Sequence, residues 1–258
     1  MIPRTQNGIP FFQFHNLAAH TGLWHGIFTR QGGLSPPPYD SLNVTYGLGD
    51  SPAVVTANRQ ALSQCTPSGS IITARQVHGA QVLVLTDAQQ QNDTAKDELP
   101  QADALVTNVP GVYLMVQVAD CQSILIYDPV NRAVANIHSG WRGSLHNICQ
   151  RTIDIMTSTF GCRTDDLWIG IGPSLGPCCA EFINYQKEFP ESFWHYCLKA
   201  RHFDFWTITQ DQLCAAGVDR HKIETSGWCT HCRTDLFFSY RKEGTTGRFA
   251  TIIGLSPE

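Results

Sequence analysis

Apolar positions along this chain follow two different periods. Residues 112–118 and 123–127 are nearly continuous apolar runs, the pattern of strands buried on both faces. They lead to Asp128-Pro129-Val130-Asn131, a turn signal, and residues 132–137 read as the returning strand. Across residues 143–160 the period changes. Leu145, Ile148, Cys149, Ile153 and Met156 make an apolar stripe at helical spacing.

Shorter apolar runs at 11–14, 26–29, 102–107, 167–171 and 249–253 predict further strands. Residues 71–76 and 81–85 predict two strands around a tight Val77-His78-Gly79-Ala80 turn. A helix is expected from Pro52 to about Ser63, with Ser51 as N-cap and proline at the first helical position. Two more are expected at 184–197 and 208–216. Residues 30–39 must form a loop, because paired glycines allow positive φ and three prolines prevent regular pairing. Residues 87–101, rich in Gln and Asp, are expected as an exposed loop. Interleaved strands and helices without repeat or linker predict one α+β domain over residues 1–258. It is expected to be a mixed αβ layered sandwich with largely antiparallel or mixed sheets, since the hairpins argue against a purely parallel one.

The hairpin carries a more specific expectation. Closing it about Pro129-Val130 places Asp128 opposite Asn131. Carried back without a bulge, that register places Cys121 opposite His138, with Cβ atoms roughly 5 Å apart. A thiolate and an imidazole at that spacing can share a metal or act as nucleophile and base. His78 lies in another turn and supplies a third donor. Donors N, S and N suit zinc and leave a coordination position open, as in catalytic sites. On spacing alone, two hydrogen-bonded histidines and a buried thiol are the plainer reading, since no short HxxxH or CxxC motif joins the trio.

Composition narrows the functional class. Of 258 residues, 42% are hydrophobic and 16% charged, so most of the chain can be packed. A net charge of −4 gives no electrostatic argument for nucleic acid or an anionic membrane, although 18 Lys and Arg can still cluster in pockets. No apolar run approaches the roughly 20 residues of a membrane span, and residues 1–7 lack a signal-peptide core. A soluble, cytoplasmic protein is expected. Its ten cysteines then read as buried, metal-binding or catalytic rather than disulfide-bonded. Nothing in the sequence signals an oligomeric state.

Other residues could carry chemistry. Arg30-Gln31-Gly32-Gly33 and Trp141-Arg142-Gly143 each set an arginine beside glycines, an arrangement that admits an anion. Asn43 can cap a turn or touch a ligand. Asp120 would face away from Cys121 on a regular strand, yet at a strand end it could turn inward as a ligand's partner or general base. Cys229-Thr230-His231-Cys232 is a lone C-x-x-C that Cys178-Cys179 could complete as a second zinc site, although free or buried thiols are the plainer reading.

Taken together, these segments resemble a known family. Its members are called polyphenol oxidase or laccase-domain proteins, purine nucleoside phosphorylases and peptidoglycan editing factors. The matching pieces run in family order. They are residues 25–35 with Ser41-Leu42-Asn43, Gln76-Val77-His78-Gly79, residues 102–107, Ala119-Asp120-Cys121 and His138-Ser139-Gly140-Trp141-Arg142-Gly143. Gly172-Pro173-Ser174 with Cys178-Cys179, residues 237–241, and Thr246-Gly247-Arg248 follow. The resemblance implies a single-domain αβ sandwich with zinc held by His78, Cys121 and His138, and a pocket that includes Arg30 and Asn43. Gln76 joins them as a substrate-binding candidate. It also implies phosphorolysis of purine nucleosides and deamination of adenosine. Arg30 and Arg142 would hold phosphate, and Asp120 would handle a proton. Zinc would lower the pKa of a water for the deamination. One departure is Gln122-Ser123, where the family usually has an apolar residue and proline after Ala-Asp-Cys.

Three other readings stand beside this one. Copper-dependent phenol oxidation fits the older family name, but multicopper sites generally use His-x-His pairs and no two of the ten His here are two apart. A Cys121–His138 nucleophile and base would suit an amidase that edits peptidoglycan precursors. A nucleotide-sensing or partner-binding module would bind without turnover.

Overall fold

The computed structural model describes residues 1–86 and 99–257, so most of the expected 87–101 loop lies outside the described residues. Two six-stranded sheets form the frame. The first runs in the order β1 (Ile2–Gln6), β2 (Ile9–Gln13), β3 (Leu23–Phe28), β14 (Phe249–Leu255), β7 (Val112–Val118) and β4 (Ser70–Ile72). The second runs β13 (Ile223–Thr225), β10 (Trp168–Ile171), β8 (Gln122–Asp128), β9 (Ala133–Ser139), β6 (Ala104–Thr107) and β5 (Val82–Leu85). Both are mixed: β4 is parallel to β7, β5 to β6 and β10 to β13, and the remaining pairs are antiparallel. A small hairpin, β11 (Cys197–Lys199) with β12 (His202–Phe203), stands apart.

One apolar core lies between the sheets, where Leu114, Val116 and Ile253 of the first meet Leu105, Leu125 and Val134 of the second. Near-continuous apolar strands are explained by a second packed face on each sheet. Helix α1 (His15–Ala18) links β2 to β3 and packs on β10. Leu62 of α2 (Pro52–Ser63) belongs to the core on the outer face of the first sheet. Helix α3 (Trp141–Leu145) follows β9, and α4 (Ile148–Phe160) covers the outer face of the second sheet with Ile148, Cys149, Ile153 and Met156. Helix α5 (Tyr185–Glu188), α6 (Phe205–Ala215) and α7 (Tyr240–Glu243) complete the set. The result is the layered αβ sandwich that the sequence predicts. Among the described residues no helix is long and apolar enough to cross a membrane.

Four local expectations are corrected. The 71–76 and 81–85 strands do not form a hairpin, because β4 and β5 belong to different sheets. Helix 143–160 is broken: Asn147 takes φ 49°, accepts a hydrogen bond from the Gln150 N–H and restarts the helix as α4. Helix 184–197 is cut by Pro190 into α5 and a 3-10 turn, Glu191–Tyr196. The hairpin register also differs. Asp128 pairs with Ala133 and His138 pairs with Ser123, so Cys121 is not opposite His138. The Asp128 carboxylate accepts the Val130 and Asn131 N–H groups, and Arg132 takes φ 48°, which lengthens the turn by two residues.

Candidate metal centre

Cys121 lies where the chain passes from one sheet to the other. β7 ends at Val118 in the first sheet and β8 begins at Gln122 in the second, so Ala119-Asp120-Cys121 makes the crossing. Asp120 has φ 83°, which turns the backbone sharply there. His138 projects from β9, and His78 sits in its own turn with φ 59°. Despite the altered register, one ligand atom from each of His78, Cys121 and His138 lies within 4.8 Å of the others. Cys121 Sγ is 3.8 Å from His78 Nε2.

Asp103, which sequence reasoning left without a role, holds both histidines. Its Oδ1 is 2.8 Å from His138 Nδ1 and accepts the His78 N–H at 2.9 Å, while Oδ2 accepts the Val77 and Gly79 N–H groups at 3.2 and 2.7 Å. This carboxylate is fully buried at the start of β6. Burial alone would raise its pKa, but the His138 imidazole and the turn N–H groups outweigh that and lower it. The signal was present as one acidic residue entering the apolar run 102–107. A carboxylate on the far nitrogen of a metal-binding histidine is the usual way to fix its tautomer.

The donor set suits a soft or borderline cation, which would take the place of the proton on the His138 ring. Burial pushes the Cys121 thiol up, but the positive His138 ring beside it and hydrogen bonds from both histidines bring it well below the usual thiol range. Burial lowers His138, and the Cys121 thiolate with Asp103 more than reverses this. Two imidazoles and a thiolate with an oriented tautomer fit zinc. Gly140 makes room for them, since a Cβ there would stand 3.0 Å from both Cys121 Sγ and His78 Cδ2.

The trio forms part of the wall of a cavity of about 690 Å³, within the usual range for small-molecule sites. Gln76 and Asp120 also line it. The Gln76 side chain is tied to the Gln117 backbone, donating to its oxygen at 2.9 Å and accepting its N–H at 2.8 Å. Asp120 is largely committed to structure. It accepts the Thr230 and Ser239 hydroxyls at 2.7 Å each and the Arg241 N–H at 2.6 Å. Gln122 lines the cavity too and ties β8 to α6, donating to Phe205 O at 3.1 Å and accepting the Thr209 hydroxyl at 2.5 Å.

The structure moves the anion candidates. Arg30 and Asn43 are not among the lining residues. The Arg30 guanidinium is spent on Asp40 O at 2.7 Å, Thr234 O at 3.0 Å and Glu243 Oε1 at 2.7 Å, and it lies over the Phe238 ring. Asn43 bonds Asp50, Thr45 and the Arg248 N–H. Arg142 is exposed and stacks on Trp141, also outside the lining. The cavity instead presents Arg59, Arg75, Arg241 and Arg248. Burial lowers the Arg248 pKa, opposed by the nearby negative charge of Cys121 and Asp120. Apolar lining comes from Trp141, Phe182, Phe205 and Leu175.

Comparison with known proteins agrees with this architecture. The family model described as multi-copper polyphenol oxidoreductase laccase matches residues 24–256. A protein named purine nucleoside phosphorylase YlmD, from Geobacillus stearothermophilus, is 33% identical over 92% of this chain and 92% of its own length. Purine nucleoside phosphorylase YfiH of Escherichia coli is 34% identical over 88% of this chain and 91% of its own. The crystal structure of YlmD from Geobacillus stearothermophilus superposes with a TM-score of 0.87, at 28% identity over 99% of both chains.

Proposed function

Because the chain belongs to the multi-copper polyphenol oxidoreductase laccase family, whose relatives compared above are named purine nucleoside phosphorylases, we propose that it cleaves purine nucleosides with phosphate. Phosphate oxygen bonds to the ribose C1′ as the bond from C1′ to the base breaks, giving ribose-1-phosphate and the free purine. The observation that supports this most is one cavity lined by the His78–Cys121–His138 donors, by arginines and by aromatic rings. The reading takes residues 1–258 as one catalytic domain.

His78, Cys121 and His138 would hold zinc, which supplies Lewis acidity toward a ligand oxygen. Arg248 and Arg241 are the cations proposed to bind phosphate and to stabilise charge that develops on it. Arg30 and Asn43 act one layer out. Arg30 holds Glu243 at the end of α7, and Asn43 fixes the backbone N–H of Arg248. Trp141, Phe182 and Phe205 offer faces for a purine to pack on. Asp120 positions the Arg241 backbone and the hydroxyls of Thr230 and Ser239.

Adenosine deamination is a second proposed activity of the same cavity, supported by a trio that leaves a coordination position for another ligand. Copper oxidation of phenols fits these residues less well, because among the described residues only one group of clustered donors contains histidine. The deciding experiment is chromatography of inosine and adenosine reactions with and without phosphate. Hypoxanthine and ribose-1-phosphate from inosine, only with phosphate, are expected. Products that form equally without phosphate would overturn the phosphorylase reading. A covalent adduct on Cys121 in zinc-loaded protein would instead favour the nucleophile and base.

A further inference from the structure

Two cysteine pairs about fifty positions apart in sequence converge beside the cavity. Cys178 and Cys179 lie in the turn after β10, and Cys229 and Cys232 open the segment that runs to Arg248. One sulfur from each lies within 4.8 Å of all the others. Cys232 Sγ is 3.7 Å from Cys178 Sγ and 3.6 Å from Cys179 Sγ. A disulfide would need about 2.05 Å. Four thiolates placed tetrahedrally at about 2.3 Å from a zinc ion stand about 3.8 Å from one another. The two spacings from Cys232 match that value, and the other sulfurs stay within 4.8 Å of one another.

The backbone builds the same arrangement from both sides. Cys232 N–H bonds Cys229 O at 3.1 Å, and Cys179 N–H bonds Gly176 O at 2.9 Å, so each pair sits in a tight turn. Ser174 and Cys229 form a parallel bridge, with Thr230 N–H on Ser174 O at 3.0 Å. Gly176 N–H points at Cys229 Sγ at 3.3 Å. A divalent cation bound by the four sulfurs would displace their thiol protons. Cys178 and Cys232 are exposed and leave an entry path.

We propose that Cys178, Cys179, Cys229 and Cys232 form a tetrathiolate zinc site, separate from the His78–Cys121–His138 group. All-sulfur donors favour zinc over harder cations, and four protein ligands make the site structural. Its position gives it a task. It fastens the start of the segment that supplies Thr230, Ser239 and the Arg241 N–H to Asp120, and Arg241 and Arg248 to the cavity.

Metal analysis of the purified full-length protein tests this independently of the catalytic reading. Cys121→Ser removes a donor from the histidine group only, and that variant is expected to keep one zinc per chain. Adding Cys178→Ser and Cys232→Ser should remove it. Cobalt loaded into the Cys121→Ser variant should give the strong thiolate-to-cobalt charge-transfer and visible bands of a tetrahedral four-sulfur centre, a readout that needs no further substitution. Zinc retained by Cys178→Ser/Cys232→Ser but lost by Cys121→Ser would overturn this site while leaving the catalytic one standing. A metal-free Cys121→Ser chain whose four cysteines titrate as free thiols or form disulfides would also overturn it.

Discussion

Asp103 Oδ1 stands 2.8 Å from His138 Nδ1, and the same oxygen accepts the His78 backbone N–H. One buried carboxylate therefore orients one imidazole and anchors the turn that carries the other. Replacing Asp103 with alanine should weaken zinc binding by about 10–100-fold, as loss of such partners typically does. Competition against a chromophoric chelator measures this. An unchanged affinity would mean that the histidines are held by other contacts.

Gly140 sets the space between two of the proposed ligands. A methyl group there meets Cys121 Sγ and His78 Cδ2 at 3.0 Å each, closer than ordinary van der Waals contact. The backbone itself is permissive, with φ −79° and ψ −179°. Gly140→Ala should therefore lower zinc affinity and activity while leaving the melting temperature nearly unchanged. A melting temperature that falls together with affinity would place the damage in the fold instead.

The arginines separate into two roles that kinetics can tell apart. Arg248→Ala should raise KM for phosphate several-fold, besides the stability lost with its bonds to Thr246 O and Gly247 O. Arg30→Ala strips the partners from two carbonyls and from Glu243 and should cost about 1–3 kcal/mol of stability. Its KM for phosphate should stay near that of the parent protein. The opposite pattern in steady-state kinetics and chemical denaturation would return Arg30 to the phosphate site.

Glu243 links acid stability to the same network. Burial works against its charge, but the Ser239 N–H, the Arg30 guanidinium and the Thr246 hydroxyl outweigh it and hold the carboxyl below its ordinary value of 4.5. A carboxyl lowered on folding adds stability above its unfolded pKa, and loses it as pH falls through the folded one. Unfolding free energy measured from pH 6 down to pH 3 should therefore fall less steeply for Glu243→Gln than for the parent. Parallel acid limbs would show that this carboxyl does not contribute.

Local pattern was enough for most strands of the two sheets and for α2, because apolar runs and a Ser-Pro start act within a few residues; the edge strands β1 and β13, whose side chains are exposed or half-buried, carry no such run. The candidate ligands were also legible, since His78, Cys121 and His138 lie in short motifs whose order along the chain can be read directly. Asp103 was visible as an acid in an apolar run, but its partner His138 is brought to it by pairing of β6 with β9, and the His78 turn by pairing of β5 with β6. The hairpin register turned on whether the Asp128 carboxylate would take the Val130 and Asn131 amides, a choice that strand periodicity does not encode.

What the sequence determined by itself was where most of the inner strands lie, which donors are available and what family they resemble. Only the tertiary structure decided where those donors meet. β7 and β8, adjacent in the chain, went to different sheets, and the crossing at Asp120 delivered Cys121 to the histidines. The Arg30 guanidinium is taken up by Glu243 and two carbonyls, and the cavity has its arginines from α2, from the stretch after β4 and from the segment before β14. The four distant cysteines met for the same reason: backbone pairing between Ser174 and Cys229 is a long-range contact, and sequence spacing carries no record of it.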